Sequence, residues 1–185
     1  MPTNALLNPL VLPILGLLVE EPRHPYAIFT ELRSRHAHLN VRNGTVYTLI
    51  DRLRSEGWIR IDDSRNPPTV EITADGADAL RRNVIRHVMD SDLTDGHAFV
   101  TALAYVGILD RQDARELLSA RAAAVREELA RLDDVLSKTD VPPLHMIEAH
   151  YMRSKLDHDA AWLEQVVADI DSGHLVWVRA GSIDT

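Results

Sequence analysis

The segment Asn43-Gly-Thr-Val-Tyr-Thr-Leu-Ile-Asp-Arg-Leu-Arg-Ser-Glu-Gly-Trp-Ile-Arg-Ile61 constrains the fold more than any other part of this chain. Val46, Leu49, Ile50 and Leu53 recur at spacings of three and four, which puts them on one face of a helix. Thr45, Thr48, Asp51, Arg52 and Ser55 are left to face outward. Gly57 tolerates the left-handed conformation that closes a helix, and Trp58-Ile-Arg-Ile61 then alternates as a half-buried strand starting at Trp58 and ending at Asp62. A second strand is expected at Thr69–Thr73, across the loop Asp63-Ser-Arg-Asn-Pro-Pro68. With two helical patterns upstream, the order is that of a winged helix-turn-helix, which points to duplex DNA as the thing read.

The first helix is expected from Asn8 to Val19. Pro9 suits its first position, and Pro13 still removes only an early amide donor. The helix is apolar nearly all round, as a central strut must be, and Gly16 suits the close approach of another helix. Pro25 opens the second helix, which is expected to turn Tyr26, Ile28, Phe29 and Leu32 to the core. Arg33 and Arg35 lie at its C-terminal end, where the helix dipole favours cations.

His36–Arg42 reads as the turn and Asn43 as the cap of the third helix. Unpaired amides at that helix start suit a phosphate. The residues expected to meet DNA are Arg42, Asn43, Thr45, Tyr47 and Thr48, with Arg52 and Arg54 as phosphate clamps and Arg65 at the tip of the wing. Tyr47 has two readings, packing against the turn or offering its hydroxyl to the DNA backbone. One Arg65 beside Asp62 and Asp63 makes the wing a weak clamp, because carboxylates facing a groove repel phosphates. Thr73 is placed to cap a fourth helix running to about Val88.

A net charge of -8 excludes a chain that coats nucleic acid indiscriminately, but the charge is uneven. Residues 1–90 hold 11 Arg against 11 acids, whereas residues 91–185 hold 9 basic groups against 17 acids. Within residues 23–65, 8 Arg stand against 5 acids, a surplus to which His24, His36 and His38 add when protonated. Local field matters more than total charge for phosphate contact, since charges more than about 10 Å apart are screened at ordinary salt. The same surplus also suits an ordinary solvated surface. The absence of cysteine excludes disulfides and thiolate chemistry and makes a reducing cytoplasm the simplest compartment. The longest apolar run, Leu10–Val19, is about half of a membrane span and has no basic leader, so neither a membrane partner nor a signal peptide is expected.

These residues resemble the PadR family of transcriptional regulators. The likeness rests on Gly44-Thr-Val-Tyr47, Leu53, Glu56-Gly57 and Ile59, on Ile14-Leu-Gly-Leu-Leu18, on Tyr26 with the apolar residues after it, and on Thr73-Ala-Asp-Gly76. It covers residues 8 to 85 closely and the helical remainder in outline. Two positions depart from the family pattern: Pro25 stands where a glycine is usual, and Ser64-Arg-Asn-Pro-Pro68 replaces a more basic wing. The resemblance implies a dimeric repressor on double-stranded palindromic DNA, released by a small aromatic or planar effector.

The C-terminal half reads as helix again after Asp90-Ser-Asp-Leu-Thr-Asp95. Phe99, Leu103, Val106 and Leu109 mark a short segment, a long helix is expected over Arg111–Ser137, and another over Pro143–Asp171. Leu118, Ala122, Val125, Leu129, Leu132 and Leu136 recur at heptad-like spacing and are assigned to a homodimer seam, with an intramolecular hairpin as the other reading. Arg121, Arg126 and Arg131, with several acids, are placed on its flanks, which can be salt-bridged or solvated. Leu144, Ile147, Tyr151, Trp162, Val166 and Ile170 carry the last helix.

Phe99, Tyr105, Tyr151 and Trp162 are the candidate contacts for a planar effector, and each also suits a plain core. No three histidines or acids converge in the pattern, so no metal or cofactor is assigned, and no catalytic constellation is present. The closing Gly173–Arg179 stretch reads as a short apolar extended segment that either folds back over part of the dimer or is disordered except for Trp177. The fold expected is therefore mainly α, with a winged helix-turn-helix DNA-binding domain at 1–90 and long dimerisation and effector-binding helices at 91–185. A winged-helix protein-interaction module with weak or no DNA binding is the other functional reading.

Overall fold

A computed structural model describes residues 7–36, 39–93 and 96–177. Ala37, His38, Thr94 and Asp95 of the expected connections, and Val178 and Arg179 of the expected tail, lie outside these residues. The order is α1 Val11–Glu20, α2 Pro25–Arg35, α3 Asn43–Ser55, β1 Ile59–Asp62, β2 Thr69–Ile72, α4 Ala74–Asp90, α5 His97–Leu103, α6 Arg111–Lys138 and α7 Ile147–Ser172. Single 3-10 turns precede α6 and α7 at Val106–Ile108 and Pro143–Met146. The fold is mainly α-helical: a winged helix-turn-helix followed by two long helices.

The strut begins at Val11, later than expected, because the Asn8 side chain accepts the Leu10 amide at 2.9 Å and holds the chain in a turn there. Residues 11 to 18 are all buried, which matches a helix apolar on every side. Pro13 sits in the first turn, where its missing N–H breaks no helical bond. Gly16 does permit a close approach, but by an aromatic ring rather than a helix backbone: a Cβ there would lie 2.1 Å from Tyr105.

The wing is an antiparallel pair with Ile59 opposite Ile72 and Asp62 opposite Thr69. Gly57 enters it at φ 76, in the left-handed region. Arg23 exchanges both backbone hydrogen bonds with Val70, so the link between α1 and α2 is stitched to the outer edge of β2. The Thr73 hydroxyl accepts the Gly76 amide at 3.1 Å, the cap read from the sequence, and also donates to the Gly57 carbonyl at 2.7 Å.

Three expectations are corrected here. Tyr26 does not enter the core but is 58% exposed, its ring leaning on Phe29 with centroids 6.0 Å apart. The face of α2 is set by Ile28 and Leu32, four residues apart, and Tyr26 falls well round the helix from both. Asn43 is not the cap of α3. Arg42 occupies that position with extended backbone and no side-chain hydrogen bond closes the helix start. Arg121, expected on a salt-bridged or solvated flank, is only 4% exposed.

The heptad seam of α6 closes within one chain. α6 and α7 form an antiparallel hairpin in which Arg115 reaches Asp171, Arg126 reaches Glu164 and Asp157, and Arg153 reaches Asp133. Leu118, Ala122, Val125 and Leu129 are buried, as are Leu156, Ala160, Leu163 and Ile170 of α7, and Leu132 and Leu136 are half-buried. Leu118, Ala122, Val125 and Leu129, with Leu132 packed against them, therefore face α7 within one chain, the intramolecular hairpin that the sequence left as the other reading. What α7 leaves exposed is another stripe, with Ile147, Tyr151 and Trp162 on one face and Leu144 just ahead of it.

Arg121 ties the two halves together. Its guanidinium donates to the carbonyls of Met89 and Ser91 at 3.1 and 2.8 Å, where α4 ends, and lies 5.1 Å from the Phe99 ring centroid. It thus caps the last carbonyls of α4 from α6. The Trp177 indole donates to the Leu109 carbonyl at 3.1 Å and fastens the chain after α7 onto the start of α6.

Candidate nucleic-acid interface

α3 turns Val46, Leu49, Ile50 and Leu53 into the core, all buried, and its remaining residues outward. At 100° per residue, Gly44, Thr48, Asp51 and Ser55 crown the outer face, Tyr47 and Arg54 flank it on one side, and Thr45 and Arg52 on the other. Tyr47 is 41% exposed, so its ring is not absorbed by the turn. The first turn of α3 contains no acid. Asn8 joins Arg42, Thr45 and Thr48 in lining a shallow depression beside it. Asn8 was not legible as a neighbour of this helix, because it lies far away in the chain and comes close only through the position of α1.

The cations differ in their freedom. Arg42 and Arg54 are exposed and make no ion pair among the described residues. Arg52 is held by Glu56 at 2.5 Å, one helical turn on. On the wing, Arg60 lies 2.8 Å from Glu71, and Arg65 lies 3.2 Å from Asp62 and 3.9 Å from Glu71. The Asp62 carboxylate also accepts from the Ser64 hydroxyl and amide, and those bonds, with Arg65 adding to them, hold its pKa below the usual carboxylate range. The wing's positive charge is thus largely met by its own acids.

The four aromatics expected around an effector occupy separate places. Tyr105 is buried against Gly16 with its hydroxyl 2.7 Å from His36 Nε2, at the end of α2, and burial raises its phenol pKa. Phe99 is half-buried under Arg121. Tyr151 and Trp162 are exposed on α7. A cleft of about 340 Å³ opens elsewhere, between the approach to α1, the end of α4 and the start of α5. Pro9, Leu12, Leu39 and Ala98 give it apolar walls, and His87, Ser91 and Thr101 give it polar groups. A second hollow sharing Leu12, His87 and Ala98 extends it past Asn83 and Arg86. Burial, then the neighbouring Arg86, lowers the His87 pKa, which favours the neutral imidazole. Leu39 belongs to the turn before α3, so the cleft touches the segment that leads into α3.

Residues 14–82 match the model of the transcriptional regulator PadR-like family, a stretch that runs from α1 into α4 and includes α3 and the wing. Residues 14–82 are similar to a PadR-like regulator domain. That stretch carries the chain's likeness to a family of transcriptional regulators. Solved structures similar to it include Bacillus subtilis PadR in complex with p-coumaric acid, at 21% identity, covering 88% of this chain and 96% of that one with a TM-score of 0.41. Bacillus subtilis PadR in complex with operator DNA matches at 21% identity, 88% and 99% coverage and a TM-score of 0.39. A PadR-like transcriptional regulator from Bacillus cereus matches at 14% identity, 88% and 98% coverage and a TM-score of 0.39. No curated protein matches the chain significantly. No helix among the described residues is long and apolar enough to cross a membrane.

Proposed function

We propose that this PadR-like chain is a dimeric, sequence-specific repressor that reads a palindromic operator through α3 and is released by a small planar effector. Residues 1–90 read DNA in this account, residues 91–185 assemble the dimer, and the effector binds where the two segments meet. The observation that carries it is the outer face of α3. Thr48, Tyr47 and Thr45 stand above a sealed apolar face, at a helix start that has no acid in its first turn and two unengaged arginines nearby.

Second-copy contact is assigned to the exposed stripe Ile147, Tyr151 and Trp162, with Leu144 just ahead of it, because large apolar side chains on one face of a long helix are costly to leave in water. The effector is assigned to the α1–α4–α5 cleft, whose volume suits a small ring system. Asp90 and Asp92 line these hollows along with Arg86, and His87 favours its neutral form, which supports an uncharged rather than an acidic molecule.

The test is a fluorescence titration of labelled duplex from the region upstream of the protein's own gene, at two salt concentrations. Binding that weakens steeply with salt, and that an unrelated duplex of equal length does not reproduce, supports the proposal. A folded protein that binds neither duplex at low salt favours the other reading, a winged-helix interaction module. The engagement of Arg60 and Arg65 by the wing's own acids is the observation on that side.

A further inference from the structure

We infer that α3 reads base edges with a ridge of hydrogen-bond acceptors, Thr48, Asp51 and Ser55, so that the preferred half-site presents amino groups along one strand, with a cytosine facing Asp51. This rests on the reading of α3 as the recognition helix. Gly44, Thr48, Asp51 and Ser55 fall within a sector of roughly 60° opposite the buried face, at 100° per residue. Along the axis, Thr48 to Ser55 spans about 10 Å at 1.5 Å per residue, close to three base-pair steps.

The hydroxyls on this ridge have already committed their protons. Thr48 Oγ1 donates to the Gly44 carbonyl at 2.9 Å and Ser55 Oγ donates to the Arg52 carbonyl at 2.7 Å, which leaves each oxygen facing outward as an acceptor. Asp51, between them, is exposed and makes no hydrogen bond or ion pair among the described residues. Glu56, Asp62 and Glu71 nearby are held by arginines, so their charge is spent within the module. The Asp51 carboxylate is an acceptor with no donor of its own.

The major groove decides what can meet it. Guanine offers O6 and N7 and thymine offers O4, all acceptors that repel a carboxylate. Cytosine N4 and adenine N6 are the donors, and adenine N6 stands beside the acceptor N7 of the same base. Cytosine is therefore the partner that satisfies Asp51 without opposing it. The other charged groups on α3 lie to the sides: Arg54 flanks the ridge with Tyr47, and Arg52 with Thr45. They can neutralise phosphates without occupying the reading line.

Selection of bound duplexes from a random library by the full-length protein, followed by titration of the enriched site, tests this. The expected motif carries cytosine or adenine at consecutive positions, and replacing the cytosine facing Asp51 weakens binding by roughly tenfold. Asp51→Asn gains an amide donor and is expected to move that position to adenine, whose N6 and N7 an amide matches in both directions. Asp51 is exposed, so the variant is expected to unfold as the parent does, which circular dichroism monitors. A motif with guanine or thymine at that position, or an identical motif from Asp51→Asn, overturns the acceptor ridge while leaving α3 as the reading helix. Failure to enrich any motif overturns both.

Discussion

Arg121 shows most directly what a single side chain does here. Its charge is desolvated, which lowers its pKa from the usual arginine value, yet it remains cationic at neutral pH and spends its N–H groups on the carbonyls of Met89 and Ser91. Arg121→Ala strips two carbonyls at the end of α4 of their donor and opens space over the Phe99 ring. Hydrogen bonds to a charged group contribute about 1.5–3 kcal/mol, so a loss of about that size is expected in urea unfolding, with Arg121→Lys intermediate because ammonium lacks the planar fork. A midpoint unchanged in both variants contradicts the capping role. At the wing, Arg65→Ala is expected to weaken DNA binding only modestly, since Asp62 and Glu71 already hold that guanidinium. Asp62→Asn with Asp63→Asn is expected to strengthen binding, most at low salt where repulsion is least screened. Weaker binding after removal of both acids contradicts this view of the wing.

Among the elements, α3 and the wing were the most legible, and the reason is local. The apolar spacing of Val46, Leu49, Ile50 and Leu53, the left-handed Gly57 and the Thr73 cap are each decided within a few residues. Features that depend on distant partners were not readable. Tyr105 fills the space that Gly16 leaves, Asn8 lies beside α3, and Arg121 reaches the end of α4; in each case the partner is set by the packing of whole helices. Periodicity also found the α6 seam but not what it faces, because an apolar stripe looks the same whether α7 or a second chain covers it.

The geometry of α3 gives a prediction about its own charge. Glu56 pairs with Arg52 on the flank of α3, so Glu56→Gln removes that counter-charge and is expected to tighten binding to all duplexes and to steepen the salt dependence. Arg52→Ala is expected to do the reverse. Thr48→Ala is expected instead to change the preference among operator variants, because it removes a base-edge group rather than a phosphate contact. Titrations of the three variants on one operator set separate these outcomes, and equal effects on every duplex from Thr48→Ala contradict its placement on the reading line.

For the whole molecule, assembly and stability are assigned to different faces of the same hairpin. Leu129→Asp with Leu132→Asp puts charge into the α6–α7 core and is expected to unfold the C-terminal half. Ile147→Asp with Tyr151→Asp acts on the exposed stripe and is expected to give a folded monomer by sedimentation, with DNA affinity falling as the two half-sites lose their linkage. A persistent dimer in that second variant contradicts the placement of the interface. The central claim, a symmetric pair of α3 helices on one operator, is tested most directly by hydroxyl-radical footprinting of the bound upstream duplex. The expected result is two protected patches on one side of the DNA, centred about 34 Å apart, both lost together on dilution. A single patch, or a folded dimer that protects nothing, contradicts it.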